Sequence, residues 1–235
     1  MIVGLVAGLA VAIAMVAASD EGYVVALGLV AGDLILLATV VTYAMRGADH
    51  LGPTTFGIRR TAWLPAIGWG GALLFAGFAL DGLLALFFGS DGSHDRSSPV
   101  HFAAGTAVLV ALGVAVTAPI AEEMSFRGYL FPALTRWRGP WVAAAITAVL
   151  FGAAHIAAVP PALLAGAAFF GFGLCLLYWF TGSLLPCVAV HSLNNAIALT
   201  VVTGGQLAPA IVGAPALSLL LLMPLARERA PDIPA

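Results

Sequence analysis

The chain has 235 residues, 62% of them hydrophobic and 9% charged, with a formal net charge of −2 and a mean hydropathy of +1.06. A soluble domain carries roughly 25% charged residues, so this chain lacks the polar surface to face water, and its solvent is a lipid bilayer. The slightly acidic balance and the absence of a like-charged block exclude a nucleic-acid partner.

A membrane span needs about 20 apolar residues. The apolar runs predict an all-α, polytopic membrane bundle of about eight helices, over residues 2–18, 23–45, 63–89, 101–137, 141–158, 161–181, 184–202 and 207–225. The first run lacks a basic leader and an early polar cleavage region, so it reads as a retained span. Gly139-Pro140, Pro160-Pro161 and Gly204-Gly205 punctuate the later turns. The fourth run is too long for one perpendicular span, and is expected to tilt or to break near Pro119. Cys175 and Cys187 have no metal-ligand spacing and fall in apolar runs, which predicts buried thiols.

All nine basic residues are arginine. With eight spans, Arg46, Arg59, Arg60, Arg136, Arg138, Arg227 and Arg229 fall on one side. The positive-inside rule makes that side the cytoplasm and places both termini there. Asp20, Glu21, Asp91, Asp95 and Arg96 fall opposite.

Three polar stretches interrupt the apolar runs. They are Glu122-Glu123-Met124-Ser125-Phe126-Arg127, then Phe151 to His155, then His191 to Asn195. A charge at membrane depth costs roughly 2.5–3.5 kcal/mol on insertion scales, so intramembrane acids are functional candidates. Glu123 and Arg127 are four apart on one helix face and are expected to pair. Glu122 lies about 100° around the helix, which leaves its carboxylate free. Glu122 precedes Arg136 by 136 − 122 = 14 residues, and His155 follows Trp141 by 155 − 141 = 14. At about 1.5 Å per residue both sit roughly 21 Å from the arginine-bearing edge. Asn195 lies roughly 16 Å deep, with His191 one turn shallower on the same face. Glu122, His155, His191 and Asn195 are therefore expected to converge on one pocket, as sites in helical bundles do. Its mouth is expected on the arginine side, with Val159, Val201 and Val202 closing the opposite end.

A carboxylate beside an imidazole can hold and deprotonate a water. His191 and Asn195 offer N–H groups to the oxyanion that forms when this water attacks a peptide carbonyl. Ser125 and Ser192 read as helix-packing residues, Phe126 and Phe151 as pocket-wall packing, and Asp33 and Asp81 as interhelical hydrogen-bonding groups.

In order, the three stretches match EExxxR, FxxxH and HxxxN, and over about residues 100–200 the chain resembles the CPBP family of CAAX-type intramembrane endopeptidases and bacteriocin-processing relatives. The resemblance implies a glutamate-dependent endopeptidase in which Glu122 and His155 activate water, His191 and Asn195 stabilise the oxyanion, and Glu123 and Arg127 support them. The lysine-free, Ala/Gly-rich composition fits a bacterial inner membrane. Residues 1–99 are then N-terminal spans, 100–204 the catalytic core, and 205–235 the last span and tail. The partner is a membrane-associated peptide or protein, and no cofactor is implied. Two other readings stay open. Two imidazoles and a carboxylate are a proper zinc set, so His155, His191 and Glu122 could be ligands of a metalloprotease, although no HExxH is present. Alternatively, Glu122 and Glu123 could serve a transporter or a non-enzymatic scaffold.

Overall fold

A computed structural model describes residues 22–47, 52–88, 100–156, 159 and 161–230. The expected first span over 2–18, and the acidic loop residues Asp20, Glu21, Asp91 and Asp95 with Arg96, lie outside the described residues.

Among the described residues the fold is all-α. The helices are α1 (Gly22–Gly47), α2 (Trp63–Phe88), α3 (Ala104–Leu112), α4 (Ala118–Glu123), α5 (Phe131–Ala154), α6 (Leu164–Thr181), α7 (Leu184–Val202) and α8 (Ala210–Leu222). Their bounds follow the apolar runs, because the bilayer admits only segments that satisfy their own backbone. Five segments are long and apolar enough to cross a membrane, including one run of 51 residues, Ala104–Ala154. Large apolar side chains stand exposed on the outside, such as Leu64, Phe75 and Phe87 of α2. In lipid these are the expected contacts, not a liability.

The 51-residue run is a helical hairpin. Gly139 sits at φ 77°, ψ 169°, a conformation no helix contains and one that glycine adopts without a Cβ clash. Phe126 and Phe151 pack ring against ring at 5.2 Å, and Glu122 lies 3.8 Å from His155. Both pairs sum to 277, so both are symmetric about a point between Arg138 and Gly139. A straight helix would hold Glu122 and His155 roughly 50 Å apart.

Pro119 does not break the first arm of this hairpin. The chain stays helical through Thr117, Ala118 and Met124, and two π-helical stretches, Gly113–Thr117 and Met124–Leu130, flank α4. Proline lacks the N–H that an α-helix would donate to the carbonyl four residues back. The wider π turn absorbs that loss: the Ala118 N–H reaches back five residues, to the Gly113 carbonyl.

Main-chain and side-chain bonds tie the helix ends together. At one end the Leu184 N–H donates to the Gly57 carbonyl (2.8 Å), the Thr61 hydroxyl donates to the Thr181 carbonyl (3.1 Å), and Arg60 pairs in parallel with Arg229. Ser183 caps α7 by accepting from the Leu185 N–H, and its hydroxyl donates to the Arg59 carbonyl. At the other end the Val100 N–H donates to the Val202 carbonyl, and Gln206 brackets the Phe102 backbone. The interior nearest the arginine end is filled by Val40, Phe56, Leu184, Leu185 and Val188. Cys175 and Cys187 are buried free thiols, as expected.

Candidate active site

The first π stretch prepares a docking edge. With the Ala118 N–H spent on Gly113 and none on Pro119, the Val114 and Ala115 carbonyls lack their usual main-chain donors. Helix α7 supplies replacements: the Asn195 amide donates to the Val114 carbonyl at 2.8 Å, and the Ser192 hydroxyl donates to the Ala115 carbonyl. Ser192 is fully buried, and Ser125, also buried, donates to the Ala121 carbonyl. Ser192 ties α7 to the first π stretch, whereas Ser125 bonds within its own helix.

In the second π stretch, Arg127 and Glu123 are fully buried and joined at 2.8 Å. The expected pair is present, but Glu123 does more than neutralise the arginine. The same oxygen, Oε1, also lies 2.8 Å from His191 Nδ1. A carboxylate oxygen has no proton to give, so the His191 Nδ1–H donates. Arg127 donates in addition to the Gly171 carbonyl at 2.8 Å, and its guanidinium stands 4.6 Å over the Phe151 ring. Gly171 permits that approach, since a Cβ there would meet three Phe151 atoms at 3.0–3.1 Å. Phe151 thus connects the elements: its ring also lies 4.6 Å from His155 and 5.7 Å from His191.

Glu122 faces the other way. Its Oε2 is buried without a hydrogen-bond partner, 3.8 Å from His155 Nε2 and 3.9 Å from His191 Nε2. Those separations exceed a hydrogen bond. His155 follows the last residue of α5, and its Nδ1 lies 2.8 Å from the Phe151 carbonyl. A carbonyl only accepts, so this nitrogen carries the proton. In the neutral rings, both histidines therefore turn a bare Nε2 lone pair toward one carboxylate oxygen.

Glu122, His155 and Asn195 line a cavity of about 420 Å³ between α1, the first π stretch, α4, the end of α5 and α7. Sequence reasoning treated Asp33 only as a hydrogen-bonding group, yet it lines the same cavity and accepts from the Thr117 hydroxyl at 2.6 Å. Val159 and Val202 line it too. The mouth was expected at the arginine turns; the lining lies instead toward the Val159 and Val202 end. His155 ends its helix at that boundary, whereas the expected helix ran on to 158.

Two imidazole nitrogens and a carboxylate are suitable zinc donors by type. Among the described residues, however, no three His, Cys, Asp or Glu side chains are grouped to hold a metal ion. No step below passes through a metal.

No curated protein and no solved structure matches the chain. Residues 104–197, the segment that holds both π stretches and all four candidate catalytic residues, match the family model for the Rce1-like type II CAAX prenyl endopeptidases. Over that segment the chain is similar to the CAAX-protease family of membrane endopeptidases.

Proposed function

We propose that the protein hydrolyses a peptide bond in a membrane-associated substrate, with Glu122 as the general base. The observation that carries this reading is the buried, unpartnered Glu122 Oε2 facing two imidazole lone pairs at 3.8 and 3.9 Å. A buried carboxylate oxygen without a donor is costly, by about 1–3 kcal/mol or more for a charged group, so the site is suited to a donor that arrives with the reaction. A water between Glu122 Oε2 and His155 Nε2 can donate one hydrogen to each and keep a lone pair for the carbonyl carbon. As the C–O bond forms, Glu122 takes the proton. It then passes that proton to the leaving amine as the C–N bond breaks, and returns to the carboxylate.

The negative charge on the former carbonyl oxygen needs N–H donors. The Asn195 nitrogen has two hydrogens and spends one on Val114. Its second N–H is the oxyanion donor in this mechanism. His191 Nε2 joins it only when the ring holds both protons, because Nδ1–H is committed to Glu123. Glu123 thus acts as a positioning residue for His191 and as the counter-charge of Arg127.

The transporter reading requires polar groups continuing across the membrane. Among the described residues, the interior from the buried Glu123–Arg127 pair to the arginine end is mainly apolar, with Phe131, Ala143, Ala144, Leu184 and Val188 around the single threonine Thr147. Hydrolysis is the reading the geometry favours. Purified protein in detergent, incubated with peptides from a membrane-proteome digest, should yield new termini that are absent with Glu122→Gln. Cleavage that persists in that variant would overturn the assignment.

A further inference from the structure

At the opposite end of the molecule lies a second and larger cavity, of about 900 Å³. Its wall combines Arg60 and Arg229 with Trp63, Trp69, Phe180 and Met223. Arg60 and Arg229 are direct partners in a parallel bridge, fixed by the Arg60 N–H to the Glu228 carbonyl (2.8 Å) and the Ala230 N–H to the Arg60 carbonyl (2.7 Å). Paired residues on adjacent extended segments stand about 4.8 Å apart, with side chains on the same side. Like charges directly opposite each other are destabilising. Neither guanidinium has a carboxylate partner among the described residues. Arg60 spends its Nε–H on the Ala226 carbonyl at 2.9 Å, which leaves its two terminal nitrogens free.

We propose that this cavity binds the phosphodiester headgroup of an anionic phospholipid. Two forked guanidinium groups on the wall of one cavity suit the planar, bidentate recognition of a phosphate. The lipid source is favoured over a soluble anion by the remaining wall. Trp69 stacks on Phe180 at a centroid distance of 5.7 Å, and Trp63 begins α2, where the chain enters the bilayer. Tryptophan at that level marks the headgroup region. A cavity of about 900 Å³ is far larger than a phosphate needs, and Met223 and Leu185 give it an apolar floor for the glycerol and the first acyl carbons. The bound lipid would also staple the C-terminal segment to the start of α2. This inference is independent of the catalytic reading.

Native mass spectrometry of the full chain, released from detergent with equal phosphatidylglycerol and phosphatidylcholine, tests it. The expected result is one retained phosphatidylglycerol in preference to phosphatidylcholine. That preference should fall about fivefold in Arg229→Gln, whose side chain has no other polar contact, and vanish in the Arg60→Gln, Arg229→Gln double variant. Arg227→Gln, outside the cavity, should leave it unchanged. An equal drop in Arg227→Gln would reduce the effect to general surface charge and overturn the proposal, as would an unaltered preference in the double variant. Millimolar inorganic phosphate should not displace the lipid. If phosphate alone occupies the site and competes the lipid away, the ligand is a soluble anion and the lipid assignment falls.

Discussion

Glu122 and Glu123 are chain neighbours in opposite surroundings. Glu123 is fully buried, and one of its oxygens is shared by Arg127 and His191. Glu122 has 20% of its side chain exposed in the cavity, and its Oε2 has no hydrogen-bond partner. The same substitution should therefore have two different effects. Glu122→Gln removes the base while breaking no ion pair, so cleavage should drop by about 10²–10⁴-fold with little change in thermal unfolding. Glu123→Gln leaves the Arg127 charge buried and uncompensated, which costs about 3–5 kcal/mol, and it loosens the His191 ring as well. Melting curves that rank Glu122→Gln as the less stable variant would reverse these roles. The metal question belongs to the same side chains. With no metal grouping among the described residues, pure protein should hold well under one zinc per chain and cleave after chelation. Elemental analysis that finds one zinc per chain, lost together with activity, would contradict the glutamate mechanism.

Among the elements, the π stretch Gly113–Thr117 holds the least obvious piece of the design. Pro119 withholds an N–H, two carbonyls open, and α7 attaches through Asn195 and Ser192. Pro119→Ala would restore the donor and let the helix close on itself. The Asn195 anchor would then compete with a main-chain bond, and loss of one such bond is worth about 1 kcal/mol. Cleavage should fall about tenfold without a matching loss of stability, because the helix gains what α7 loses. Full activity in this variant would mean the proline does not set the position of α7. The helix positions among the described residues, the Glu123–Arg127 pair and the approach of Glu122, His155 and Asn195 to one cavity were legible from apolar run length, four-residue spacing and the depth count; His191 lies beside Glu122 but outside the cavity lining. The π register was not. It shifts hydrogen bonds by one residue without changing the apolar pattern, and what makes the shift tolerable is a neighbouring helix. The signal available is a proline preceded by a glycine six residues earlier, which by itself predicts only a tilt or a break. The second bond of Glu123, to His191, was equally hidden. Spacing along one helix says nothing about which residue a different helix brings to the same oxygen.

At the scale of the whole molecule the two ends differ in kind. The Arg60–Arg229 bridge joins two arginine groups at one end, and the hairpin turn at Gly139 adds Arg138 to a helix terminus. The candidate catalytic cavity reaches toward the other end, where Val159 and Val202 line it and His155 follows α5. The depth count already contained this result. A group roughly 21 Å from one edge of a hydrocarbon core about 30 Å thick is only about 9 Å from the other. The cavity lining extends toward the Val159 and Val202 end, and not toward the arginine side where its entrance was expected. Helix ends line the cavity there, His155 and Val159 after α5 and Val202 at the end of α7, and backbone departing from regular helix is tolerated at membrane depth where it lines a cavity. Access can be measured without assuming which side is cytoplasmic. In a Cys175→Ala, Cys187→Ala background, Ala198→Cys places a thiol on the exposed, cavity-lining face of α7. Arg229→Cys places one at the arginine end. Ser125 and Ser192 are poor positions for such probes, because both side chains are buried and committed to carbonyls. A membrane-impermeant thiol reagent should label the two cysteines from opposite faces of sealed vesicles. If the positive-inside rule holds for this chain, Ala198→Cys is the one that reacts from outside the cytoplasm. Labelling of both cysteines from the same face would show that the cavity opens at the arginine end, and the peptide would then have to enter past Leu184 and Val188.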